Sequence, residues 1–384
     1  MSTLDFVEEV PNPDHVHVLE VVNEEEGQRV EVAPFIGRFL LEHQVAGVQF
    51  MYDNLVVNIA ALKAKEAGHG CILAHCMGLG KTLQAIAIMH VLLTNAVVQE
   101  AATNDVPAGE SRSKSGSDPG SGCESDSSTT PRKGKGPPPS KPRTAKRSFL
   151  RTCLVLVPKN VLRNWDDELK KWLANYHFDR KVFIVDSIDH VNDRLSKMEE
   201  WTERGGILVM AYSIFRIMAT KKAGDDGKRL RELLLDPGPD IVVADEAHLL
   251  KNELAQVTVA IKQMRTQRRV ALTGSPLQNN LIEYFTMVDF ARKGMLGTLE
   301  RFKNYFEIPI LNGMLSDSSK ADVKRSHGRS HVLHKTLSGF VQRRDVTVMA
   351  KALPKDVVKE EIVLTVTLSD SQKALTRKLF RQAR

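Results

Sequence analysis

The stretch Cys71-Ile-Leu-Ala-His-Cys-Met-Gly-Leu-Gly-Lys-Thr82 decides the fold. Its apolar residues 71–74 are enough for a short buried strand, and the apolar residues from 82 to 93 indicate a helix. A strand, a glycine turn, Lys-Thr and a helix together make a phosphate-binding loop. Glycine lets backbone N–H groups surround phosphate oxygens, and the start of the helix adds unpaired donors at the positive end of its dipole. We therefore expect an α/β domain that binds a nucleotide here.

Two residues of this loop are expected to act directly on a nucleotide and its metal. Lys81 can reach the β- and γ-phosphates, and the hydroxyl of Thr82 can coordinate Mg²⁺. The other loop residues are expected to contribute backbone donors and shape: His75, Cys76, Met77, Gly78, Leu79 and Gly80. The usual G-x-x-x-x-G-K-[ST] pattern has glycine where His75 stands, so this loop departs from the pattern at its first residue.

Composition narrows the class of protein. The 384 residues permit two or three domains, and the 42% hydrophobic content is enough for a core. Four cysteines have neither metal-type spacing nor the density of a disulfide framework, which is typical of a reducing compartment. No apolar run reaches the roughly 18 residues of a membrane span, and the N-terminus lacks a signal-peptide pattern, so no membrane partner is expected. The net charge of +7 permits a polyanionic partner, although solvated lysines would produce the same charge.

Several segments differ from the nucleotide-binding lobe expected over 35–290. Residues 1–34 are expected to form an acidic flank or part of an incomplete preceding element, and a helix is expected from 39 to 52. Residues from about 96 to 148 are rich in Ser, Gly, Pro, Lys and Thr and poor in large apolar residues, which predicts a disordered insertion within the lobe. Its basic end is a solvated linker, a nuclear-import signal or a nucleic-acid contact.

Short apolar runs continue along the lobe. Buried strands are expected at 152–158, 182–185, 206–210, 240–244 and 269–273. Strands that are apolar on both sides and separated by helices predict a doubly wound parallel sheet with helices on both faces. From 280 the pattern is helical and aromatic, which predicts a helical appendage over 291–350.

An acidic motif, Asp245-Glu-Ala-His248, follows the strand expected at 240–244. The carboxyl edge of a parallel sheet is where a phosphate-loop enzyme holds its metal and its water. Asp245 is expected to bind Mg²⁺, Glu246 to orient or deprotonate the attacking water, and His248 to complete the motif. An ordinary loop start would also explain Asp-Glu after a strand, but its position after a phosphate loop favours catalysis.

A second polar turn, Thr273-Gly-Ser-Pro-Leu-Gln278, follows the strand expected at 269–273. Its small hydroxyl groups lie where they could sense the γ-phosphate. We therefore expect Thr273, Ser275 and Gln278 to couple nucleotide state to the rest of the lobe.

These three motifs, in this order, resemble the superfamily-two helicase motors and, among them, the Swi/Snf chromatin-remodelling branch. The resemblance covers 35 to the C-terminus without the insertion. His75-Cys76 and Arg343-Arg-Asp345 resemble the ATRX-like subgroup and its androgen-receptor-interacting helicase-like proteins. The resemblance implies a RecA-like first motor lobe that uses ATP and Mg²⁺ to track on double-stranded DNA in the nucleus. It also implies that Gln44 reads adenine and that four residues approach DNA: Lys159, Asn160, Lys251 and Asn252.

The same resemblance implies a second lobe. Residues 351–384 look like the start of the crossing toward it, and about 30 residues are too few to form one. Since the second lobe supplies the arginines that accelerate hydrolysis, we expect this chain alone to bind ATP and DNA weakly and to turn over little.

Two other functions remain open from sequence. One is an RNA helicase of the Asp-Glu-Ala-His type, and the other is a nucleotide-dependent scaffold with little hydrolysis. In addition, Leu230-Arg-Glu-Leu-Leu234 has the L-x-x-L-L spacing that fits nuclear-receptor grooves, although three leucines on one helix face usually belong to a core.

Overall fold

The computed structural model describes residues 16–103, 150–173, 181–221, 224–250, 256–274, 281–345, 347–348 and 362–382. The chain divides into two compact units, Met1–Asp345 and Val346–Arg384. The first unit holds the sheet and the candidate site. The second unit includes the helix Asp370–Gln382, in the segment expected to start a crossing.

Seven strands form one sheet in the first unit, and every neighbouring pair is parallel. Their order across the sheet is β5-β6-β4-β7-β8-β3-β9. The strands are β3 Cys71–His75, β4 Thr152–Val157, β5 Lys181–Val185, β6 Gly206–Ala211, β7 Ile241–Ala244, β8 Arg269–Thr273 and β9 Val341–Arg344. Six of them lie where the apolar runs predicted strands, so the expected α/β parallel sheet is confirmed.

Helices cover both faces of this sheet because alternate strand residues enter two separate cores. Along β4, Val155 and Val157 pack in one core, and Leu154 and Leu156 pack in the other. The first core is covered by α2 Glu42–Leu55, α4 Lys81–Thr94, α5 Ala96–Ala102 and α6 Leu162–Leu173. The second is covered by α7 Val191–Arg204, α8 Tyr212–Ala219, α9 Gly224–Leu234, α10 Gln256–Lys262 and α11 Leu281–Ala291. The doubly wound arrangement follows from this alternation.

The residues expected to form only an acidic flank contain a hairpin that belongs to the lobe. Strands β1 Val18–Asn23 and β2 Gln28–Glu31 pair antiparallel. Leu19 and Val30 are buried in the same core as α2. The short helices α1 Pro34–Gly37 and α3 Ile59–Lys63 flank α2. The flank prediction is therefore wrong for the described part of 1–34.

The helix expected from 39 to 52 is α2, which starts three residues later. By length and composition Glu42–Lys63 could cross a membrane, but 56% of an 18-residue stretch within it is buried inside the lobe. A core helix of a water-soluble domain has the same property, so this helix is explained by its packing.

Helix α5 occupies the first residues of the expected insertion. Asn95 caps it by accepting hydrogen bonds from the backbone of residues 97 and 98, and Val98, Ala101 and Ala102 are buried. The disorder prediction is therefore wrong for 96–102, since these apolar residues fill the core beside α3 and α4. Residues 104–148 of the expected insertion lie outside the described residues.

The segment 291–345 contains the expected helices and one element that was not expected. Helices α12 Leu299–Phe302, α13 Ile308–Asn312 and α14 Lys320–Leu337 follow α11, with a π-helical turn at Lys303–Glu307. The ring of Phe302 packs on Phe285 and Phe306, with centroid distances of 5.1 and 5.5 Å. The chain then returns to the sheet as β9, which pairs with β3 from Ile72↔Val341 to His75↔Arg344.

Candidate nucleotide-binding site

The loop between β3 and α4 has the backbone of a phosphate-binding loop. Gly78 and Gly80 have φ values of +86° and +67°, in the left-handed region that favours glycine. A Cβ atom at Gly80 would lie 2.2 Å from the side-chain nitrogen of Gln44. The positive φ favours glycine here, and any larger residue would also displace the amide of Gln44.

Side chains from two helices hold this loop through one carbonyl. The oxygen of Leu79 accepts from Nε2 of Gln84 at 3.0 Å and from Nε2 of Gln44 at 3.3 Å. The oxygen of Gln44 in turn accepts the backbone N–H of Leu41 at 2.9 Å. Gln44, which was predicted to read adenine, therefore stabilises the loop through its side-chain amide. Gln84 was not predicted, although a buried amide in the otherwise apolar α4 is a visible signal.

The ammonium of Lys81 lies inside the loop. Its Nζ donates to the carbonyl oxygens of His75 at 2.9 Å and Cys76 at 3.3 Å. Burial lowers the pKa of Lys81, and the nearby carboxylates of Glu246 and Asp245 oppose that shift. The cation thus lies between the end of β3 and the acidic pair.

Asp245 is held in place by two aromatic residues. Its Oδ2 accepts the indole N–H of Trp165 at 2.8 Å, and its backbone oxygen accepts the hydroxyl of Tyr212 at 2.7 Å. Burial raises the pKa of Asp245, whereas the hydrogen bonds from Trp165 and the backbone of Glu246 and the charge of Lys81 act in the opposite direction. The supporting roles of Trp165 and Tyr212 could not be read from the sequence, because they depend on contacts between distant elements.

Glu246 follows with a strained backbone. Its φ is +47°, which is unusual for a residue with a side chain. Its Oε2 lies 3.1 Å from Nδ1 of His248 without forming a hydrogen bond, and neither atom has a hydrogen-bond partner among the described residues. This oxygen is buried, and a protonated His248 ring would form an ion pair with it.

These groups line a cavity of about 620 Å³ at the carboxyl edge of the sheet. Helix α6 adds Asn164, Asp167 and Glu168, which the sequence had not indicated. Among the described lining residues, Lys81 is the only cation, and it faces four carboxylates. The described residues contain no cluster of three or more His, Cys, Asp or Glu side chains arranged as a metal cage. Magnesium fits such a site when it arrives with a nucleotide, since it is usually held by one or two protein groups and by phosphates.

His75 contributes to the loop through its backbone rather than through its ring. The side chain is fully buried, and its Nε2 lies 3.1 Å from Oε1 of Gln342 on β9. The amide nitrogen of Gln342 donates to the carbonyl of Ala46 in α2 at 3.3 Å. The amide oxygen therefore faces the histidine, so the Nε2 of His75 carries the proton and donates it.

Other predicted residues lie near this edge of the sheet or outside the described residues. Lys159 and Asn160 are exposed in a 3-10 turn, Lys159–Val161, directly after β4. Thr273 is buried at the end of β8. The predicted DNA contacts at 251 and 252 and the coupling residues at 275 and 278 lie outside the described residues: Lys251, Asn252, Ser275 and Gln278.

The L-x-x-L-L stretch lies on α9 and faces the core. Leu230, Leu233 and Leu234 are 2%, 2% and 0% exposed. Packing against the second core accounts for their spacing, and these leucines are not available to a receptor groove in this fold.

A parallel sheet with a phosphate loop after β3 and an acidic pair after β7 defines a phosphate-loop nucleotide-binding lobe. The chain belongs to the family of the SNF2-related domain, which matches residues 43–383. This membership does not favour the RNA-helicase alternative.

Relatives with long shared segments agree with this assignment. The chain is 36% identical to Protein CHROMATIN REMODELING 20 of Arabidopsis thaliana, over 99% of this chain and 23% of that protein. It is also 36% identical to human Helicase ARIP4, over 91% of this chain and 23% of that protein, and to human Transcriptional regulator ATRX, over 87% and 11%. The ATRX-like resemblance is therefore confirmed, and the chain spans about a quarter or less of the length of these relatives.

Among solved structures, the Sulfolobus solfataricus SWI2/SNF2 ATPase core in complex with dsDNA aligns with a TM-score of 0.48 and 21% identity. The alignment covers 80% of this chain and 45% of that one.

Proposed function

We propose that this chain is the first motor lobe of an ATP-driven, nuclear DNA translocase of the chromatin-remodelling type. The observation that carries the proposal is the convergence of Lys81, Asp245 and Glu246 at one edge of the sheet. The relatives named for chromatin remodelling and transcriptional regulation support the biological setting.

The residues divide the work of binding and hydrolysis. The backbone of 78–82 and the start of α4 bind the phosphates, and Lys81 exchanges its carbonyl partners for phosphate oxygens. The hydroxyl of Thr82 and the carboxylate of Asp245 would hold Mg²⁺, which would neutralise charge on the phosphates. Glu246 accepts a proton from the attacking water, and its place on the cavity wall beside Asp245 and Lys81 supports that role.

The described residues of the cavity supply little positive charge for hydrolysis. Lys81 is the only cation among the described residues that line the cavity. Negative charge develops on the γ-phosphate in the transition state, and added arginines are worth about 10³–10⁵ in rate. We therefore propose that a second lobe supplies these arginines, and that this chain alone turns over slowly with little stimulation by DNA.

Contacts to double-stranded DNA are proposed for the turns that follow β4 and β7. Lys159 and Asn160 are exposed at the same edge of the sheet as the nucleotide site, because parallel strands share one carboxyl edge. Lys251 and Asn252 are proposed by resemblance, as is the coupling role of Thr273, Ser275 and Gln278.

Nucleotide binding and ATPase assays test this proposal. In a full-length protein that carries this lobe, binding of a fluorescent ATP analogue should be lost in Lys81→Ala and kept in Glu246→Gln, whereas hydrolysis should stop in both. Lys324→Ala, an exposed lysine on α14 outside the cavity, is the matched control and should behave as the wild type. If the Lys81→Ala variant bound the analogue as tightly as the wild type, the assignment of this site would be contradicted.

Duplex DNA and RNA added to the same ATPase assay separate the remaining functions. A full-length protein of this family should respond to duplex DNA and not to RNA. Stimulation by RNA would support the helicase alternative, and a full-length protein with no turnover under either condition would be a scaffold. Robust DNA-stimulated turnover by this chain alone would contradict the need for a second lobe.

A further inference from the structure

A second cavity of about 800 Å³ lies at the amino end of the sheet, opposite to the nucleotide site. It begins beside Gly70, just before β3, and beside Arg269, the first residue of β8. The five residues of β3 separate it from the phosphate loop by about 16 Å. The two cavities share no lining residue, so the amino-end cavity is separate from the nucleotide site.

Cationic side chains dominate the wall of this amino-end cavity. Six of them line it, from α9, α10, β8 and the turns that follow α10 and α11: Arg231, Lys262, Arg265, Arg269, Arg292 and Lys293. We propose that the cavity is a binding site for a compact anion that carries several phosphate groups.

Few carboxylates offset these cations. Asp289 pairs with Lys262 at 2.8 Å, which accounts for one of them. Asp236 lies 3.7 Å from Arg265, and both of those side chains are largely exposed, so that pair is weak.

Neutral oxygens hold the two arginines that form the floor. Arg269, only 4% exposed, donates to the carbonyls of Met264 at 2.7 Å, Thr266 at 2.9 Å and Phe290 at 3.2 Å. Arg292 donates to the carbonyl of Gly70 at 3.0 Å and to the side-chain oxygen of Asn54 at 2.6 Å. Among the described residues, no carboxylate lies within 4.0 Å of either guanidinium.

Arg269 is buried and Arg292 is partly buried, and each also stacks on a ring, Phe290 at 5.8 Å and Phe340 at 4.6 Å. Asp289 acts on Arg269 only from a distance, so desolvation of these two cations is offset incompletely. Burial accordingly lowers the pKa of Arg269 to about 10 and also lowers the pKa of Arg292. An anion in the cavity would offset this cost at both residues, in a place where water screens the attraction poorly.

The shape of the cavity favours a small ligand over a duplex. Its volume lies in the range of small-molecule sites, roughly 300–1,000 Å³. The floor guanidiniums already donate to protein oxygens, so they contribute positive charge, whereas Arg231, Arg265 and Lys293 lie on an exposed rim and can donate directly to phosphate oxygens. A duplex carries its phosphates on a convex surface, so it would reach the rim cations and not the buried floor.

Calorimetric titration with inositol hexakisphosphate and with inorganic tripolyphosphate tests the proposal. The titration uses the Lys81→Ala chain, so that binding at the phosphate loop does not contribute. The Arg265→Glu, Lys293→Glu double variant should bind at least about tenfold more weakly, since each charge-assisted hydrogen bond to phosphate is worth that factor or more. The charge-matched control is Lys320→Glu with Lys324→Glu, two exposed lysines of α14 that do not line the cavity.

Three results would overturn the proposal. The first is no binding of either probe to the Lys81→Ala chain. The second is an equal loss in the cavity variant and the control, which would show non-specific attraction to net charge. The third is displacement of the probe by duplex DNA at equal phosphate concentration, which would make this face a nucleic-acid surface.

The rim variant also has a folding control. Arg265→Lys with Lys293→Arg keeps both charges and should retain binding within about threefold, which separates loss of charge from loss of structure. In the Lys81→Ala chain, the bound probe should also raise the melting temperature in proportion to the logarithm of its concentration.

Discussion

Replacing Gln342 by leucine should destabilise the lobe and loosen the phosphate loop. Leucine has about the volume of glutamine but no polar atom. The substitution removes the acceptor for the Nε2–H of His75 at 3.1 Å and a donor to Ala46 at 3.3 Å. His75 is fully buried, so its N–H would be left without a partner.

The size of the effect follows from that orphaned donor. An unsatisfied buried polar group costs about 1–3 kcal/mol, and the longer bond to Ala46 adds little. At roughly 2–4 °C per kcal/mol for a lobe of this size, the melting temperature should fall by about 2–12 °C. Because the carbonyl of His75 holds Lys81, the affinity for a fluorescent ATP analogue should also fall.

A double-mutant cycle identifies the interaction. His75→Leu alone should cost a similar amount, whereas His75→Leu with Gln342→Leu replaces both partners by apolar groups and should cost less than the sum. Additive effects, or a loss below about 0.5 kcal/mol in either single variant, would refute the argument that this pair ties β9 to the loop.

Two further outcomes are expected. Cys76 is partly exposed in the loop, whereas Cys153 is buried and burial raises the pKa of its thiol. An alkylating reagent should therefore modify Cys76 first, and ATP should slow that reaction. Equal rates for both thiols would contradict this prediction. Burial lowers the pKa of His75 and of His90 to about 4 from an ordinary 6.5. Between these values the unfolded chain binds more protons than the folded chain, so the free energy of unfolding should be highest above about pH 6.5. It should fall by roughly 3 kcal/mol per histidine toward pH 4, as measured by urea unfolding at each pH. A pH-independent unfolding free energy over that range would contradict the second outcome.

The central sheet could be predicted because its strands are apolar on both sides and short. Strands β3 to β8 all read this way, and their ends agree with the expected ranges within one or two residues. Strand β9 could not be predicted, since Val-Gln-Arg-Arg has two exposed charged residues and alternates poorly. Among the described strands it lies at the edge of the sheet and pairs with β3 alone, and an edge strand can keep charged side chains exposed.

The two-strand hairpin at the N-terminus was missed for a related reason. Its sequence is rich in glutamate, and its few apolar residues find their core among elements far along the chain. Glu20 accepts the hydroxyl of Tyr52 at 2.5 Å and the backbone N–H of Ile59 at 3.0 Å, so even an acidic residue is structural here. Composition alone assigns such a residue to a solvated flank.

In the candidate site, the residues expected to touch a nucleotide were predictable and those that hold them were not. Lys81, Asp245 and Glu246 stand in motifs whose spacing indicates their chemistry. Trp165 and Gln342 have no such motif, and their roles depend on hydrogen bonds across 80 and 267 residues of chain. A sequence pattern contains no information on those distances until the sheet order is known.

The order of the strands explains why β9 matters to the loop more than its exposure suggests. It is the only strand that pairs with β3 on the side away from β8, and the backbone N–H of Cys76 donates to the carbonyl of Arg344 at 3.0 Å. Lys81 donates to the carbonyl of that same Cys76. Lys81 is thus held by the carbonyls of His75 and Cys76, and the backbone of Cys76 is in turn held by β9. Any change that shifts the register of β9 by one residue would remove Gln342 from His75 and move the first residue of the loop with it.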